Sequence, residues 1–427
     1  MTDIAVLAGF VVVWGLVSRR VDRWPLTGPM VFVAFGLLIG PDVADVVAFD
    51  ADDSSVLLAG EATLAVLLFV DAARVDCRAL VRNLALPARL LGIGLPLTVG
   101  ATTVLVGLLA PDLGWAAAAL VAAILAPTDA ALGQAVVTDE NVPTTIRQSL
   151  NVESGLNDGL VVPAVTIFLV LTQAEASNES AGYWVRFTAE QIGYGVLVGA
   201  GFGLIGGFLL ARARAAGWVD GVYGQLTGLA LAIGAFATAG EIDGNGFIAA
   251  FTAGLALRTV MGDEAETVTE FSEDLGQLLA LVTFVLFGNV LVGPALDEVT
   301  FAVLACAVGA LTITRMLPVA VALAGSGLKA PTVAFIGWFG PRGLASIVLG
   351  LVVLEEAGFA AGDEVFVIVT WTVLFSIAAH GATATWAARR YGEWYMATPA
   401  DMRDDMMESE ETPVARARFA PRPERGL

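Results

Sequence analysis

Positive charge, cysteine and histidine are all scarce in this chain. Lys329 is the only lysine, and acidic residues outnumber basic ones 42 to 22. Nucleic-acid binding needs a basic patch, and none is visible, so no nucleic-acid partner is expected. Cys77 falls in a basic loop and Cys306 in an apolar stretch, and together they make neither a disulfide framework nor a metal motif. No G-x-x-x-x-G-K-[ST] phosphate loop occurs, which argues against ATP-driven work. Met1–Asp3 lacks a positive n-region, and Arg19, Arg20 and Arg23 follow the first apolar run, so the start does not read as a cleavable signal. Short segments of alternating polarity, the mark of a barrel, are missing too.

What is present is apolar. Hydrophobic residues make up 57% of the chain and charged residues only 15%, far below the roughly 25% of a soluble domain. Apolar stretches of about 20 residues recur along nearly the whole length, each able to cross a ~30 Å hydrocarbon core as a helix. The chain therefore reads as an all-α polytopic membrane protein with about 13 transmembrane helices. Basic residues alternate with acidic loops in a consistent order. With the N-terminus outside, the inner loops hold fourteen basic residues, among them Arg74, Arg147, Arg258, Lys329 and Arg389, while the outer loops hold only Arg186. The positive-inside rule then places the C-terminus in the cytoplasm and supports an odd number of spans. Residues 389–427 are polar, with scattered prolines, and read as a cytoplasmic, largely disordered tail. Carboxylates crowd at Asp42–Asp53 and Asp263–Asp274, read as solvent-facing loops. With a formal net charge of −20, this points to a high-salt environment in which surface repulsion is screened.

An odd count permits two inverted six-helix repeats around a linking helix. Two spans are interrupted at similar places in the two halves, the fifth at Pro127-Thr128-Asp129 and the twelfth at Gly340-Pro341-Arg342-Gly343. Paired interruptions of this kind mark the binding region of transporters, where broken helices cross near the bilayer midplane. Few charges lie inside the apolar spans: Asp129, Glu153, Asp158, Arg315 and Arg342, with Glu61 and Asp71 nearer span ends. Each needs a partner, a proton or a water cavity, because an isolated charge at membrane depth costs at least a few kcal/mol. The acids exceed the bases, so a cation or a proton can neutralise the remainder. Glu153 and Asp158 stand about 140° apart around one helix, with the oxygens of Ser154 and Asn157 between them. Carboxylate, hydroxyl and carbonyl oxygens suit a hard cation such as Na⁺. The break at Thr128 frees backbone carbonyls for coordination, and Asp129 offsets the opposed helix dipoles. Arg315 is expected to pair with a core acid. His380, the only histidine, is assigned a packing or helix-end role near the cytoplasmic end of the last span rather than pH sensing.

Ala126-Pro127-Thr128-Asp129 followed by Glu153-Ser154-Gly155-Leu156-Asn157-Asp158-Gly159 closely resembles the NhaP-type sodium/proton antiporters, electroneutral branch. Gly244-Asn245-Gly246-Phe247, Gly340-Pro341-Arg342-Gly343 and Ser376 to His380-Gly381 are similar to the same family, and the likeness covers roughly Ile4 to Arg390. One departure is visible: the family's fifth-span motif reads Thr-Asp-Pro, whereas here proline precedes Thr128. The resemblance implies a secondary transporter, not an enzyme, that exchanges Na⁺ (or Li⁺) for H⁺ one for one, serving pH and sodium homeostasis. K⁺/H⁺ exchange is the close alternative and a cation channel the more distant one. It implies no cofactor. It implies that Asp158 binds cation and proton in alternation, with Glu153, Ser154 and the Thr128 carbonyl completing the cation shell. Asn157 would hydrogen-bond Asp129, and Arg342 would neutralise Glu153. It also implies a homodimer in the cell membrane. A core bundle, roughly 84–171 and 300–388, would move against an interface region, roughly 4–70 and 187–292, within a membrane domain of residues 1–388.

Overall fold

The structure is a computed structural model that describes residues 2–21, 26–47, 49, 54–75, 85–129, 132–139, 141–176, 179–356 and 362–398. Cys77 lies outside the described residues, as does the chain beyond 398. The described residues form helices and connecting turns, without strands. In chain order the helices are α1 (Thr2–Val21), α2 (Gly28–Ile39), α3 (Ser54–Ala73) and α4, which runs Ala85–Arg89, through a π turn at Leu90–Gly94, into Leu95–Leu109. Next come α5 (Trp115–Ile124), the short α6 (Gln134–Val137), α7 (Thr144–Ala176) and α8, which joins Ala181–Gly201 to Gly207–Ala215 through a π turn at Phe202–Gly206. They are followed by α9 (Val222–Gly240), α10 (Gly246–Met261) and α11, joining Glu264–Leu286 to Gly293–Asp297 through a π turn at Phe287–Val292. The last are α12 (Phe301–Leu311 and Ile313–Ala322), α13 (Ala330–Trp338), α14 (Leu344–Glu356) and α15 (Gly362–Ala397).

Eight of these are long and apolar enough to cross a membrane, and five shorter apolar helices accompany them. Two of the shorter ones, α5 and α14, are halves of the interrupted segments anticipated from sequence. Outward faces stay apolar: Leu16 is 81% exposed, Leu197 70% and Ile205 64%. Such surfaces suit lipid, where only backbone hydrogen bonds need internal partners. The helices group by contact. α4, α5, α7, α12, α14 and α15 pack on one another, while α2, α3 and α8 to α11 form the other set. α3 meets α7 and α14 along the seam between them.

Two readings of the sequence are corrected. The acidic stretch Asp263–Asp274 is not a loop: from Glu264 onward it is the first part of α11, although Asp263, Glu264, Glu266 and Asp274 do face outward as expected. Glu264 and Glu266 sit in its first turn, where the helix dipole favours negative charge, and Glu273 is buried in an ion pair with Arg74 at the end of α3. The tail boundary also moves. α15 continues past Arg389 to Ala397 because Tyr391 has a place to pack: its ring stacks on Phe335 at 4.1 Å and its hydroxyl lies 3.1 Å from Thr332.

Candidate functional site

The fifth span stops being helical where proline and small polar residues intervene. α5 ends at Ile124, and Pro127 through Asp129 are not helical. A helix end leaves unpaired carbonyls, and the next start leaves unpaired amides. Inside an apolar bundle both must find partners. The two interrupted spans supply them to each other. The Asp129 amide donates to the Pro341 carbonyl at 2.7 Å, and the Leu344 amide donates to Asp129 Oδ2 at 2.9 Å. Ser346 Oγ donates to the Ile124 carbonyl at 2.7 Å. Asp129 thus places its carboxylate at the start of α14, where the positive end of the helix dipole holds it. This crossing needs a glycine at 343, since a Cβ there would overlap the Asp129 carboxylate.

Thr128 is held against α7. Asn157 Nδ2 donates to Thr128 Oγ1 at 2.7 Å, Thr128 Oγ1 donates to Ser154 Oγ at 3.3 Å, and the Ser154 hydroxyl donates to the Thr128 carbonyl. Asp158 lies one turn beyond Ser154 on the same helix. At ~100° per residue its direction falls between that of Ser154, which faces Thr128, and those of Gly155 and Gly159. Gly155 faces Asp71 of α3, and Gly159 faces Phe251 of α10. Asp158 therefore stands where the fifth-span break meets the seam between the two helix sets, and it is 4% exposed.

Glu153 points elsewhere. Both of its oxygens are taken by Arg315 of α12, Nη1 to Oε1 at 2.6 Å and Nη2 to Oε2 at 3.0 Å. The direct partner of Glu153 is therefore Arg315 rather than Arg342, which meets the expectation that Arg315 pairs with a core acid. Arg342 is tied down at its backbone, where its amide donates to Ser376 Oγ at 2.5 Å. Its side chain folds back so that Nη1 donates to the Gly340 carbonyl at 2.8 Å. The planar guanidinium of Arg315 approaches from α12 against Gly340, where a Cβ would stand 2.9 Å from Cζ, and from there it forms the two-pronged pair. Asn157 is also corrected: its amide goes to Thr128 rather than to Asp129, and its Oδ1 is buried without a hydrogen bond. His380 is not at the end of a helix but well inside α15, fully buried.

Thr128, Asp129, Glu153, Ser154, Asn157, Asp158, Arg315 and Arg342 are thus all buried around one crossing. Sequence reasoning missed Ser346 and gave no role to Ser376. For Ser346 the signal is its place just past the glycine-rich twelfth-span break, where a hydroxyl can satisfy a carbonyl that a break releases; Ser376 sits in the middle of α15 and carries no such local signal. Among the described residues no group of three or more His, Cys, Asp or Glu is arranged to hold a metal ion.

Discontinuous helices that cross around buried acids are the architecture of secondary transporters. The chain belongs to the sodium/hydrogen exchanger family, whose transmembrane profile matches residues 6–390. It is 27% identical over 377 residues to the K(+)/H(+) antiporter NhaP2 of Shewanella oneidensis, a match covering 88% of this chain but 64% of that protein, so it spans less than two thirds of that relative. It is 29% identical over 312 residues to the Na(+)/H(+) antiporter NhaP of Pseudomonas aeruginosa, covering 67% of this chain and 71% of the relative. The fold is similar to that of the sodium proton antiporter MjNhaP1 from Methanocaldococcus jannaschii at pH 8, with a TM-score of 0.72 at 20% identity, covering 91% of this chain and 98% of the other.

Proposed function

We propose that this protein is a secondary antiporter that exchanges Na⁺ (or Li⁺) for H⁺ across the cell membrane at one competitive site centred on Asp158. The observation that supports this best is the charge and ligand inventory of the crossing. Among the described residues at the crossing, the buried carboxylates are Asp129, Glu153 and Asp158 and the buried guanidiniums are Arg315 and Arg342, a formal balance of one negative charge. One monovalent cation or one proton neutralises it, and not both. Burying an uncompensated charge is costly, so each guest makes the carrier movable and excludes the other. Asp158, the Ser154 hydroxyl and the Thr128 carbonyl supply the cation's oxygens. Loading the ion replaces the hydrogen bond that Ser154 now donates to Thr128. Glu153 acts through its charge and its pair with Arg315 rather than as a direct ligand.

Alternating access follows if α4 to α7 and α12 to α15 move as a core against α1 to α3 and α8 to α11. Gly155 and Gly159 lie on the sliding face. Thirteen spans, an outside N-terminus, a cytoplasmic C-terminus and a homodimer complete the reading, and the protein needs no resident cofactor. K⁺ in place of Na⁺ is the second reading, since some relatives bear the name K(+)/H(+) antiporter. The test is a pH-dye assay in sealed proteoliposomes with Na⁺, Li⁺ and K⁺ in separate arms, with and without a clamped voltage. Asp158→Asn should reduce exchange to the level of empty vesicles while the protein still inserts. In the wild type, each unit fall in pH within the range where Asp158 is protonated should raise the half-saturating cation concentration by up to about tenfold, because the two guests compete. Exchange by Asp158→Asn at the wild-type rate refutes the assignment, and cation flux without proton movement points to a channel.

A further inference from the structure

His380 and Ser376 lie in the middle of α15, with no part in the ion inventory, yet both are fully buried and both reach the interrupted twelfth span. Ser376 Oγ accepts the Arg342 amide at 2.5 Å. His380 Nε2 lies 2.9 Å from the Trp338 carbonyl, and Nδ1 lies 3.2 Å from Ser376 Oγ and 3.0 Å from the Ser376 carbonyl. Both ring nitrogens lie within reach of a carbonyl, and Nδ1 lies also beside the Ser376 hydroxyl. With the proton assigned to Nε2, which then donates to Trp338, Nδ1 is left to accept from the Ser376 hydroxyl, whose oxygen already accepts from Arg342. One continuous chain then runs from the Arg342 amide through Ser376 and the imidazole to the Trp338 carbonyl. These two backbone groups are the facing ends of the break: Trp338 closes α13, and Arg342 lies two residues before α14.

We propose that Ser376 and His380 are positioning residues that set the span of the twelfth-helix break and, through it, the height of the cation ligands on the fifth. The linkage is short. Trp338 and Arg342 flank Pro341, whose carbonyl holds the Asp129 amide, and Thr128 is the next residue back. The Trp338 carbonyl also accepts the Gly340 amide at 2.9 Å, so releasing the imidazole frees one side of a tight turn. The Trp338 ring stays against the imidazole, 5.0 Å between centroids, and its Nε1 donates to Thr383 at 3.0 Å, so packing on α15 survives loss of the hydrogen bonds. The charges that act on the imidazole come from Arg342 and Arg315. This inference rests on the exchange reading only for its effect on transport.

His380→Gln keeps a donor that can reach Trp338 and an acceptor for Ser376, whereas His380→Phe keeps bulk and removes both. Two readouts separate the readings. In proteoliposomes, His380→Phe and Ser376→Ala should raise the half-saturating cation concentration roughly five- to tenfold. Their maximal rate should change by less than about twofold, and His380→Gln should stay within about twofold of wild type on both. In lipid nanodiscs, amide hydrogen exchange at Gly340, Arg342 and Leu344 should accelerate at least tenfold in His380→Phe and stay near wild type in His380→Gln, with the rest of α15 still protected. Equal behaviour of Phe and Gln, in either direction, overturns the proposal and leaves packing as the role of the ring. Unchanged exchange at 340–344 in His380→Phe overturns it as well. If wild type moves no cation, the exchange reading fails, and the hydrogen-exchange arm alone decides this one.

Discussion

The two interrupted spans contribute different materials to one crossing. The fifth brings ligands and charge: Thr128 presents its backbone carbonyl and its hydroxyl to α7, and Asp129 presents a carboxylate to the start of α14. The twelfth brings backbone and clearance. The Pro341 carbonyl and Leu344 amide bind Asp129, while Gly340 and Gly343 leave room for Arg315 and Asp129. A chain break is therefore not one kind of device. One break holds charge and ligands, and the other is a low-volume cradle shaped to receive them. The cradle should tolerate changes in polarity better than changes in bulk, and the ligand-bearing break the reverse.

The largest effect expected on either side comes from the ion pair behind the cradle. Glu153→Gln strands Arg315 against Gly340, and breaking a buried pair costs about 3–5 kcal/mol. Thermal unfolding in detergent should show a large destabilisation, with residual exchange retained by the folded fraction. A variant of wild-type stability with no exchange would instead make Glu153 a direct ligand. Gly343→Ala comes next. Its Cβ would lie 2.8 Å from the Cβ and Cγ of Asp129, and overpacking of this kind costs roughly 1–3 kcal/mol. It should lower both the unfolding temperature and cation affinity, and silence in both would show that the cradle is not tight. On the ligand side, Ser154→Ala removes a cation oxygen and the bond to Thr128. A rise of about tenfold in the half-saturating cation concentration, with little change in unfolding temperature, is expected. Ser346→Ala should be the mildest. It uncaps the Ile124 carbonyl for about 1 kcal/mol, visible in unfolding and absent from cation affinity.

Much of this architecture was legible beforehand. Apolar runs, the two glycine- and proline-marked interruptions and the acids on α7 are local features, and each appears where the residues place it. Partner choice was not. Arg342 stands next to the twelfth break and looked like the natural mate of Glu153, yet Arg315 takes both of its oxygens. Asn157 was assigned to Asp129, and it donates instead to the neighbouring Thr128. Thr128 and Asp129 are adjacent in sequence, Arg315 and Arg342 come from consecutive spans, and in both cases the winner depends on how far one helix slides past another. The helical Asp263–Asp274 stretch was missed for a related reason. Most of its carboxylates do face solvent, as a loop's would, and only Glu273 turns inward, to a mate at the end of a helix distant in sequence, Arg74.

The order of residues alone settles which segments are apolar enough to leave water, where helical hydrogen bonding must lapse, and that acids outnumber bases at depth. These follow from transfer free energy and from the lack of an amide hydrogen in proline, both properties of single residues. Which carboxylate is silenced by an arginine, which oxygens meet beside Asp158, and which helix grips the two ends of the twelfth-span break were decided only when the helices crossed. A hydrogen bond or ion pair is set by ångström-scale distance between atoms far apart in the chain.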